Sequence, residues 1–365
     1  MSAGAAGEPL NELGCYALAG PTNSPRDLIG EVRAAEALGI GSVFLSERWN
    51  TKEMGVFAGA VGAVSERAGI AAAATNPNTR HPLLTAALAT TMHTLTGGRF
   101  ALGLGRGQGL LFDAIGLEPV TGAQIEDLVG LLRRLWKGET ILRHQGPAGS
   151  FPFLRQEAGF DFDIPVMTVS FGPKSLELAG RCMDGVVLHT FLTDQAVRDS
   201  LAAIARGARS AGRDPAAIRV WSVLAMLGDT VPQAQRPRRS VGRLATYLQG
   251  YGDLLVRVNG WDPGVLARFR ADEVVQSFLG AIDDRATPGQ LEHIAGLIPA
   301  QWLCVAATGS PDACAKEVLR QFDLGVSGVV LHGATPADLA PVLERYRAIR
   351  PATVPAYPVN PGRMT

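Results

Sequence analysis

The stretch GGRFALGLGRGQG, residues 97–109, joins a short apolar run to a loop that has almost no side chains. The run at residues 100–102 is uninterrupted, as in a parallel strand whose two faces are both covered by helices. Four glycines then alternate with Leu104, Arg106 and Gln108. Because glycine frees the backbone and allows close approach, we interpret the segment as a buried strand that opens into a ligand-binding loop.

These glycines do not match the two best-known nucleotide-binding patterns. In a G-x-G-x-x-G motif starting at Gly103 the sixth position is Gln108, and in one starting at Gly107 it is Phe112. The chain has no Gly-Lys-Ser/Thr, which a P-loop needs. The loop therefore suits a flat or anionic ligand close to the main chain, and a simple tight turn is the alternative.

Strand-like and helix-like segments alternate along the chain, which predicts a parallel sheet. The pentapeptide GVVLH occurs at residues 185–189 and again at 328–332, in the sixth and eighth predicted strands. Such a sequence repeat is typical of equivalent strands in one closed barrel, so we predict a (β/α)8 TIM barrel. The predicted strands are 13–19, 42–45, 70–75, 99–102, 165–169, 185–188, 218–227 and 328–331.

The chain is expected to form one barrel domain over residues 11–350, after a disordered N-terminus at residues 1–10. Residues 229–300 are interpreted as a helical insertion between barrel strands seven and eight. Residues 146–162 are expected to cross the barrel irregularly. Residues 351–365 are rich in proline and are expected to form a tail.

Composition argues against several classes of function. The 34 basic residues balance the 34 acidic ones, which argues against nucleic acid or an anionic membrane as a partner. Apolar runs are too short to span a membrane and residues 1–10 lack a signal-peptide pattern, so we expect a cytoplasmic protein. The four cysteines form no C-x-x-C, and the histidines form no H-E-x-x-H or H-x-H. We therefore expect free thiols and no metal site.

Polar residues that follow the predicted strands are the candidate site residues, because barrel enzymes bind ligands at the carboxyl ends of their strands. They contain no carboxylate pair, no nucleophile beside a base and no metal cage. Such a set is typical of a site whose cofactor carries the chemistry. The candidates are Glu47, Arg48, Asn76, Thr79, Arg80, His81, Arg106, Gln108, His189 and His332.

The turn from Ser170 to Ser175 (SFGPKS) is the best candidate for a phosphate site. Gly172 exposes its main chain and Pro173 stands at a helix start, while Lys174 and Ser175 add a cation and a hydroxyl group. Free N–H groups at a helix N-terminus attract anions. A plain loop between a strand and a helix is the alternative.

Several candidates also have an ordinary structural explanation. Arg48 is suited to an anionic substrate or to a local ion pair with Glu47. His81 stands at a helix start, where it would contact either a cofactor or the helix itself. His189 and His332 would contact a ligand or form hydrogen bonds across the barrel mouth.

Four segments resemble the luciferase-like monooxygenase superfamily. Residues 44–48 (FLSER) resemble its second-strand motif, and residues 75–91 (TNPNTRHPLLTAALATT) with 97–107 (GGRFALGLGRG) resemble its strand-three to strand-four block. Residues 169–185 (VSFGPKSLELAGRCMDG) are similar to its phosphate-contacting turn. The resemblance covers nearly the whole chain and is closest to the actinobacterial class that uses the deazaflavin coenzyme F420.

This resemblance implies a barrel that binds F420, or alternatively FMN, at its mouth, usually as a homodimer. The deazaflavin members carry a non-proline cis peptide in strand three, behind the ring, which would fall within residues 72–74 here. Strand ends and resemblance together assign the cofactor to Ala73, Ala74, Asn76, Thr79, His81, Gly105, Arg106, Gly107, Ser170, Gly172, Pro173, Lys174, Ser175 and His189.

The chain departs from the sugar-phosphate dehydrogenases of this class at two positions. Those enzymes have histidine where Arg48 stands and glutamate where Gln108 stands, and neither arginine nor glutamine can replace such an acid or base. Our hypothesis is an F420-dependent oxidoreductase that passes a hydride between the ring and a small organic substrate. Its catalytic residues would be Arg48, Gln108 and Glu47. The alternatives are an FMN-dependent monooxygenase and a cofactor carrier without catalysis.

Overall fold

The computed structural model describes residues 8–19, 24–48, 52–107, 112 and 115–365. Its strands are β1 Leu10–Tyr16, β2 Ile40–Leu45, β3 Gly69–Thr75, β4 Phe100–Leu104, β5 Ile141–Gly146, β6 Gly149–Leu154, β7 Val166–Val169, β8 Gly185–Val187, β9 Arg219–Gly228, β10 Ala307–Gly309 and β11 Gly328–His332. Within these residues, eight parallel strands close a barrel in the order β1-β2-β3-β4-β7-β8-β9-β11, and β11 pairs again with β1. The prediction of a (β/α)8 barrel is confirmed.

Helices alternate with the barrel strands and begin as their sequences predict. Thr121 forms a capping box with Gln124, and Thr335 forms one with Asp338. The helices are α1 Asp27–Ala37, α2 Met54–Val64, α3 Pro82–Leu95, α4 Gly122–Trp136, α5 Pro173–Cys182, α6 Asp194–Ser210, α7 Arg243–Asn259, α8 Pro263–Ala271, α9 Glu273–Gln276, α10 Ile282–Arg285, α11 Pro288–Leu297, α12 Ala300–Leu303, α13 Pro311–Asp323 and α14 Pro336–Ile349.

The first strand lies three residues earlier than the sequence predicts. Leu10 is buried and opens β1, so the expectation that residues 1–10 are a disordered terminus is wrong at that residue; residues 1–7 lie outside the described chain. The apolar residues that follow Tyr16 form a turn instead of strand, and Leu18 in it has a φ of +48°. The carboxyl end of β1 is therefore Tyr16.

The peptide bond between Ala73 and Ala74 in β3 is cis, at the place that the family resemblance implies. The register of β3 against β4 shifts between Ala72 and Thr75. A Cβ atom at Gly103 of β4 would collide with the carbonyl oxygen of Ala72. Glycine at this position is required by the neighbouring strand.

The next glycines of the loop also face the protein's own atoms. A Cβ atom at Gly105 would lie 3.1 Å from the Cβ of Ala74, and one at Gly107 would meet the ring of Phe112. Gly107 has a φ of +66°, where glycine is favoured. Gly105 and Gly107 therefore also accommodate β3 and Phe112, a requirement that the sequence alone does not show.

The segment predicted as an irregular crossing, residues 146–162, begins inside a β-hairpin. β5 and β6 pair antiparallel, with Leu142 opposite Phe153 and Gly146 opposite Gly149. Gly149 has a φ of +135°, which the hairpin turn needs and which few other residues tolerate. The hairpin packs on the outside of the barrel, where Phe151 contacts the His81 ring.

The insertion between β9 and β10 is helical, running from a π-helical turn at Arg238–Gly242 through α12. It buries its own apolar cluster, in which the rings of Trp261 and Trp302 stack 4.4 Å apart. Arg238 donates to the carbonyl oxygens of Asp283 and Ala286, so this arginine fixes α10 to the π-helical turn that precedes α7.

The C-terminal segment closes the amino-terminal end of the barrel instead of extending from it as a tail. The Nδ2 atom of Asn360 donates to the carbonyl oxygens of Gly98 (2.7 Å) and Phe100 (2.9 Å), at the start of β4. The indole N–H of Trp221 donates to the carbonyl oxygen of Pro361 at 2.8 Å. The barrel floor is therefore built partly from the last residues of the chain.

Arg219 is buried at the centre of this floor. It donates to the carbonyl oxygens of Asn11 (2.6 Å) and Arg363 (2.9 Å), and its guanidinium lies between the rings of Trp221 and Tyr357. Burial lowers its pKa to about 10. The carbonyl and ring contacts replace the water that this cation loses.

Candidate functional site

Glu47, directly after β2, is fully engaged by the protein. Its Oε1 accepts from Nη2 of Arg80 at 2.7 Å and from the amide of Met54 at 3.1 Å, and its Oε2 accepts from the hydroxyl of Thr75 at 2.9 Å. Arg80 also forms an ion pair with Glu53. Glu47 thus joins β2, β3 and α2, and the ion pair considered between it and Arg48 is not formed.

Arg48 and Lys52 are joined by their backbones at the mouth of the barrel. The Arg48 amide donates to the carbonyl of Lys52 at 2.9 Å, and the Lys52 amide donates back at 2.7 Å. The ammonium group of Lys52 donates to the carbonyl oxygen of Leu18 at 2.8 Å, and the residue is 1% exposed. Burial, followed by the charges of Arg48 and Arg243, lowers the pKa of Lys52 to about 7.

Arg243 of α7 brings the insertion to the same side of the mouth. Its Nε lies 2.8 Å from the Asp283 carboxylate, and its Nη1 donates to Nε2 of His332 at 3.4 Å. Burial and the neighbouring cations, Arg243 first, hold the pKa of His332 well below its usual value. His332 is therefore neutral, and its ring packs edge-on against Tyr16, 5.3 Å between centroids.

Tyr16 connects this corner to the cis peptide. Its hydroxyl donates to the carbonyl oxygen of Ala73 at 3.2 Å. Burial raises the pKa of Tyr16, and the nearby Tyr247 adds to the shift. The phenol is therefore protonated at neutral pH and acts as a hydrogen-bond donor.

An aromatic wall, defined here as Phe171, His189, Tyr247 and Tyr251, lines the mouth next to this corner, with Tyr247 beside Arg243 and Tyr16. The centroid of the His189 ring lies 4.5 Å from those of Phe171 and Tyr247 and 5.6 Å from that of Tyr251. Burial lowers the pKa of His189 to about 4. Because its Nδ1 lies 2.9 Å from the carbonyl oxygen of Thr190, Nδ1 carries the proton and Nε2 is an acceptor.

The turn from Ser170 to Ser175 stands beside this wall. The Ser170 amide donates to the carbonyl of Val187 at 3.0 Å, which fixes the turn to the end of β8. Gly172 is the N-cap of α5, with no side-chain cap among the described residues, and Lys174 is exposed beside it. The first amides of α5 thus lack the usual side-chain acceptor.

The residues predicted after β3 and β4 hold the loops together. Nδ2 of Asn76 donates to the carbonyl oxygen of Gly105 at 2.9 Å, and the Thr79 hydroxyl donates to the carbonyl of Asn76 at 3.0 Å. Nε of Arg106 donates to the carbonyl of Val120 at 2.7 Å. These contacts join the ends of β3 and β4 and the start of α4.

The structure describes His81 but not Gln108. Nδ1 of His81 accepts from the amide of Leu83 at 3.2 Å, so this histidine caps α3, the structural alternative that its position allows. Gln108 lies outside the described residues.

Comparison with known proteins decides the family. Residues 10–328 match the family model of luciferase-like monooxygenase. The chain belongs to the luciferase-like monooxygenase family.

Two of the relatives found by sequence comparison match most of this chain and most of their own length. The chain is 25% identical over 312 residues to 5,10-methylenetetrahydromethanopterin reductase of Methanolobus tindarius, covering 82% of this chain and 87% of the relative. It is 24% identical over 345 residues to F420-dependent glucose-6-phosphate dehydrogenase of Beutenbergia cavernae, covering 88% and 91%. Its fold is similar to the coenzyme F420 dependent tetrahydromethanopterin reductase from Methanopyrus kandleri, with a TM-score of 0.74, 19% identity and coverage of 92% and 97%.

In this luciferase-like barrel, sequence reasoning missed Tyr16, Lys52, Arg243 and Asp283. Tyr16 was missed because β1 ends three residues earlier than predicted, and Lys52 because it follows no predicted strand end directly and lies just before α2. Arg243 and Asp283 belong to the insertion, which contains no motif that would mark them. A correct end for β1 would have found Tyr16 by the strand-end rule alone.

The described part of the chain contains no cluster of three histidine, cysteine, aspartate or glutamate side chains suited to a metal ion. No helix in that part has both the length and the apolar character that a membrane crossing requires.

Proposed function

We propose that this protein is an F420-dependent oxidoreductase that passes a hydride between the deazaflavin and a small carbonyl or unsaturated substrate. The proposal rests on one observation: Phe171 belongs both to the turn from Ser170 to Ser175 and to the aromatic wall. The residue stands between Ser170 and Gly172, and its ring packs on His189. A cofactor with a flat ring and an anionic tail needs these two features side by side.

The residues present fit such a cofactor. The uncapped amides after Gly172, with Lys174 and Ser175, suit a phosphate group. The aromatic wall suits a flat ring, and neutral His189 offers Nε2 as an acceptor. The other proposed contacts are Ala73, Ala74, Asn76, Thr79, His81, Gly105, Arg106, Gly107, Ser170 and Pro173.

When bound, F420 supplies hydride chemistry at C5 of its ring. Arg48 binds and orients the substrate, and Gln108 polarises it. Glu47 takes part as a positioning residue, because its carboxylate holds Arg80 and Thr75. Since neither Arg48 nor Gln108 is an acid or base near neutral pH, we do not propose the acid–base oxidation of a sugar phosphate.

Two substitutions at Gly172 test the cofactor site. The backbone there has a φ of −81°, and an added Cβ would lie 3.4 Å from Leu254, so side chains are tolerated. Asparagine and aspartate both cap helices, but only aspartate repels an anion. In fluorescence titrations with F420, Gly172→Asp should bind at least tenfold more weakly than Gly172→Asn.

FMN is titrated in parallel with wild-type protein. Saturable binding of F420 without FMN supports the proposal, whereas saturable binding of FMN alone favours an FMN-dependent monooxygenase. Equal affinity of the two Gly172 variants for F420 would remove the phosphate assignment.

We further propose a homodimer, in which a second copy covers α2 and α3. Val56, Leu84 and Leu95 on these helices are 72%, 63% and 51% exposed, although all three are apolar. Sedimentation should give twice the chain mass for wild-type protein and for Leu142→Glu on the hairpin. The double substitution Val56→Glu with Leu84→Glu should give a monomer, and an unchanged mass would refute this interface.

A cytoplasmic location is proposed as well. The four cysteines are free, and burial raises the pKa of the Cys15 thiol to about 12, as expected for inert thiols in a reducing compartment. Cell fractionation with an antibody to the chain would test this location.

A further inference from the structure

Five charged side chains interact with one another at the mouth, beside β1 and β2; the adjoining Glu47 and Glu53 both pair with Arg80. Among the described residues, the groups that set the pKa of buried Lys52 are the cations Arg48 and Arg243 and the carboxylates Glu31 and Asp283. Including Lys52 itself, three cations stand against two carboxylates. Neutral His332 completes the set and adds no charge.

The two carboxylates are already committed to other groups. Asp283 pairs with Arg243, and Oε2 of Glu31 accepts from the amide of Leu18 at 2.7 Å. Burial also raises the pKa of Glu31. Arg48 has no ion-pair partner among the described residues and is partly exposed. Its guanidinium is the cation of this corner that the protein leaves uncompensated.

This corner lies across the barrel from the phosphate turn. In the closed order β1-β2-β3-β4-β7-β8-β9-β11, β7, which leads into Ser170, lies four positions from β1 and three from β2, the strand that precedes Arg48. A cofactor phosphate held at Gly172 therefore leaves Arg48 free on the opposite rim. The two cationic positions are therefore available to two different anions.

We propose that the substrate carries an oxyanion, a carboxylate or a phosphate, which binds to Arg48 with Lys52 beside it. The inference rests on the proposed oxidoreductase function, because it specifies the class of that enzyme's substrate. Arg48 supplies up to five N–H donors in a planar fork that matches the oxygens of such a group. The anion compensates the charge that Lys52, Arg243 and Arg48 share.

Proton uptake accompanies this binding. Burial and the charges of Arg48 and Arg243 lower the pKa of Lys52 to about 7, whereas Glu31 and Asp283 act in the opposite direction. Lys52 is therefore partly deprotonated near pH 7.5. An anion placed beside it favours the charged form, so the site takes up part of a proton when the anion binds. A merely structural Lys52 would not produce this signal.

The experiment is isothermal titration of the F420-loaded protein with sodium succinate and, separately, with inorganic phosphate. Each is compared with sodium chloride at equal ionic strength, and the succinate titration is repeated in two buffers that differ in ionisation enthalpy. The variants are Arg48→Gln, Lys52→Gln and, as control, Arg206→Gln on the outer face of α6, where the side chain is 58% exposed. Binding of F420 to each variant is measured by fluorescence.

Wild type and Arg206→Gln should bind succinate or phosphate. Tighter binding of succinate indicates a carboxylate site, and tighter binding of phosphate indicates a phosphate site. Arg48→Gln should weaken that binding at least tenfold, the loss of one charge-assisted hydrogen bond. Lys52→Gln should abolish the buffer-dependent proton uptake, while F420 affinity stays unchanged in both variants.

Three results would overturn the inference: no binding of either oxyanion, equal binding by Arg48→Gln, or loss of F420 affinity in Arg48→Gln. The last would assign the corner to the cofactor. Failure of wild-type protein to bind F420 would instead refute the proposed function. Titration of the cofactor-free protein and of its Arg48→Gln variant with the two oxyanions would then decide whether Arg48 binds an anion.

Discussion

Replacing Asn360 with alanine tests whether the C-terminal segment is part of the barrel. Asn360 is 6% exposed and its side chain makes three hydrogen bonds: two from Nδ2 to the carbonyls of Gly98 and Phe100, and one to Oδ1 from the amide of Gly362 at 2.9 Å. A buried hydrogen bond contributes about 1 kcal/mol net. The substitution should therefore destabilise the protein by about 3 kcal/mol.

This loss converts to a modest but measurable shift in Tm. An unfolding entropy of about 2.1 cal/mol/K per residue gives about 0.8 kcal/mol/K for 365 residues. The expected decrease in Tm is thus about 4 °C. Because the floor lies at the opposite end of the barrel from the mouth, F420 affinity below the transition should not change.

Differential scanning calorimetry at one fixed scan rate measures the shift, since a chain of this size can unfold irreversibly. The matched control is Thr353→Ala, an exposed position of the same segment, which should leave Tm within about 1 °C. Equal Tm values for Asn360→Ala and Thr353→Ala would refute the assignment of residues 357–363 to the barrel floor.

Two further predictions concern pH. The lowered pKa of Lys52 means that the unfolded chain binds more protons above pH 7, so stability rises from pH 7 to 9. In Lys52→Met this rise should shrink by up to about 2.7 kcal/mol, measured by denaturant titration at both pH values. His189, with a pKa of about 4, destabilises the fold as pH falls from 6.5, because only the unfolded chain takes up its proton. His189→Gln should reduce this loss of stability at acid pH by up to about 1.4 kcal/mol per pH unit. The same loss of stability in the variant as in wild type would contradict a buried neutral ring.

The barrel was predictable because its signals are local. Alternating strands and helices, and the GVVLH repeat at residues 185–189 and 328–332, follow from which side chains must be buried. The cis peptide at Ala73–Ala74 was predictable only through the family resemblance, since three alanines carry no local sign of it.

The site was predicted unevenly, for physical reasons. The helix start at Gly172 was predictable because proline and glycine mark such starts, although the cofactor contact proposed there stays a prediction. Gly103 was interpreted as bare for a ligand, because sequence cannot reveal that Ala72 of another strand presses against it. The role of Arg243 depends on a contact with His332, 89 residues later, and no spacing rule anticipates such a contact.

The barrel floor also orders events in biosynthesis. Nδ2 of Asn11, in the first strand, donates to the carbonyl of Tyr357 at 2.8 Å, and Arg219 bridges Asn11 to Arg363. Residues 357–363 follow all eight barrel strands in the sequence, so β1 must wait for them during synthesis before its hydrogen bonds are complete. Nascent chains that stop before residue 357 should stay open to proteases at the base of the barrel, even after all eight barrel strands have emerged from the ribosome.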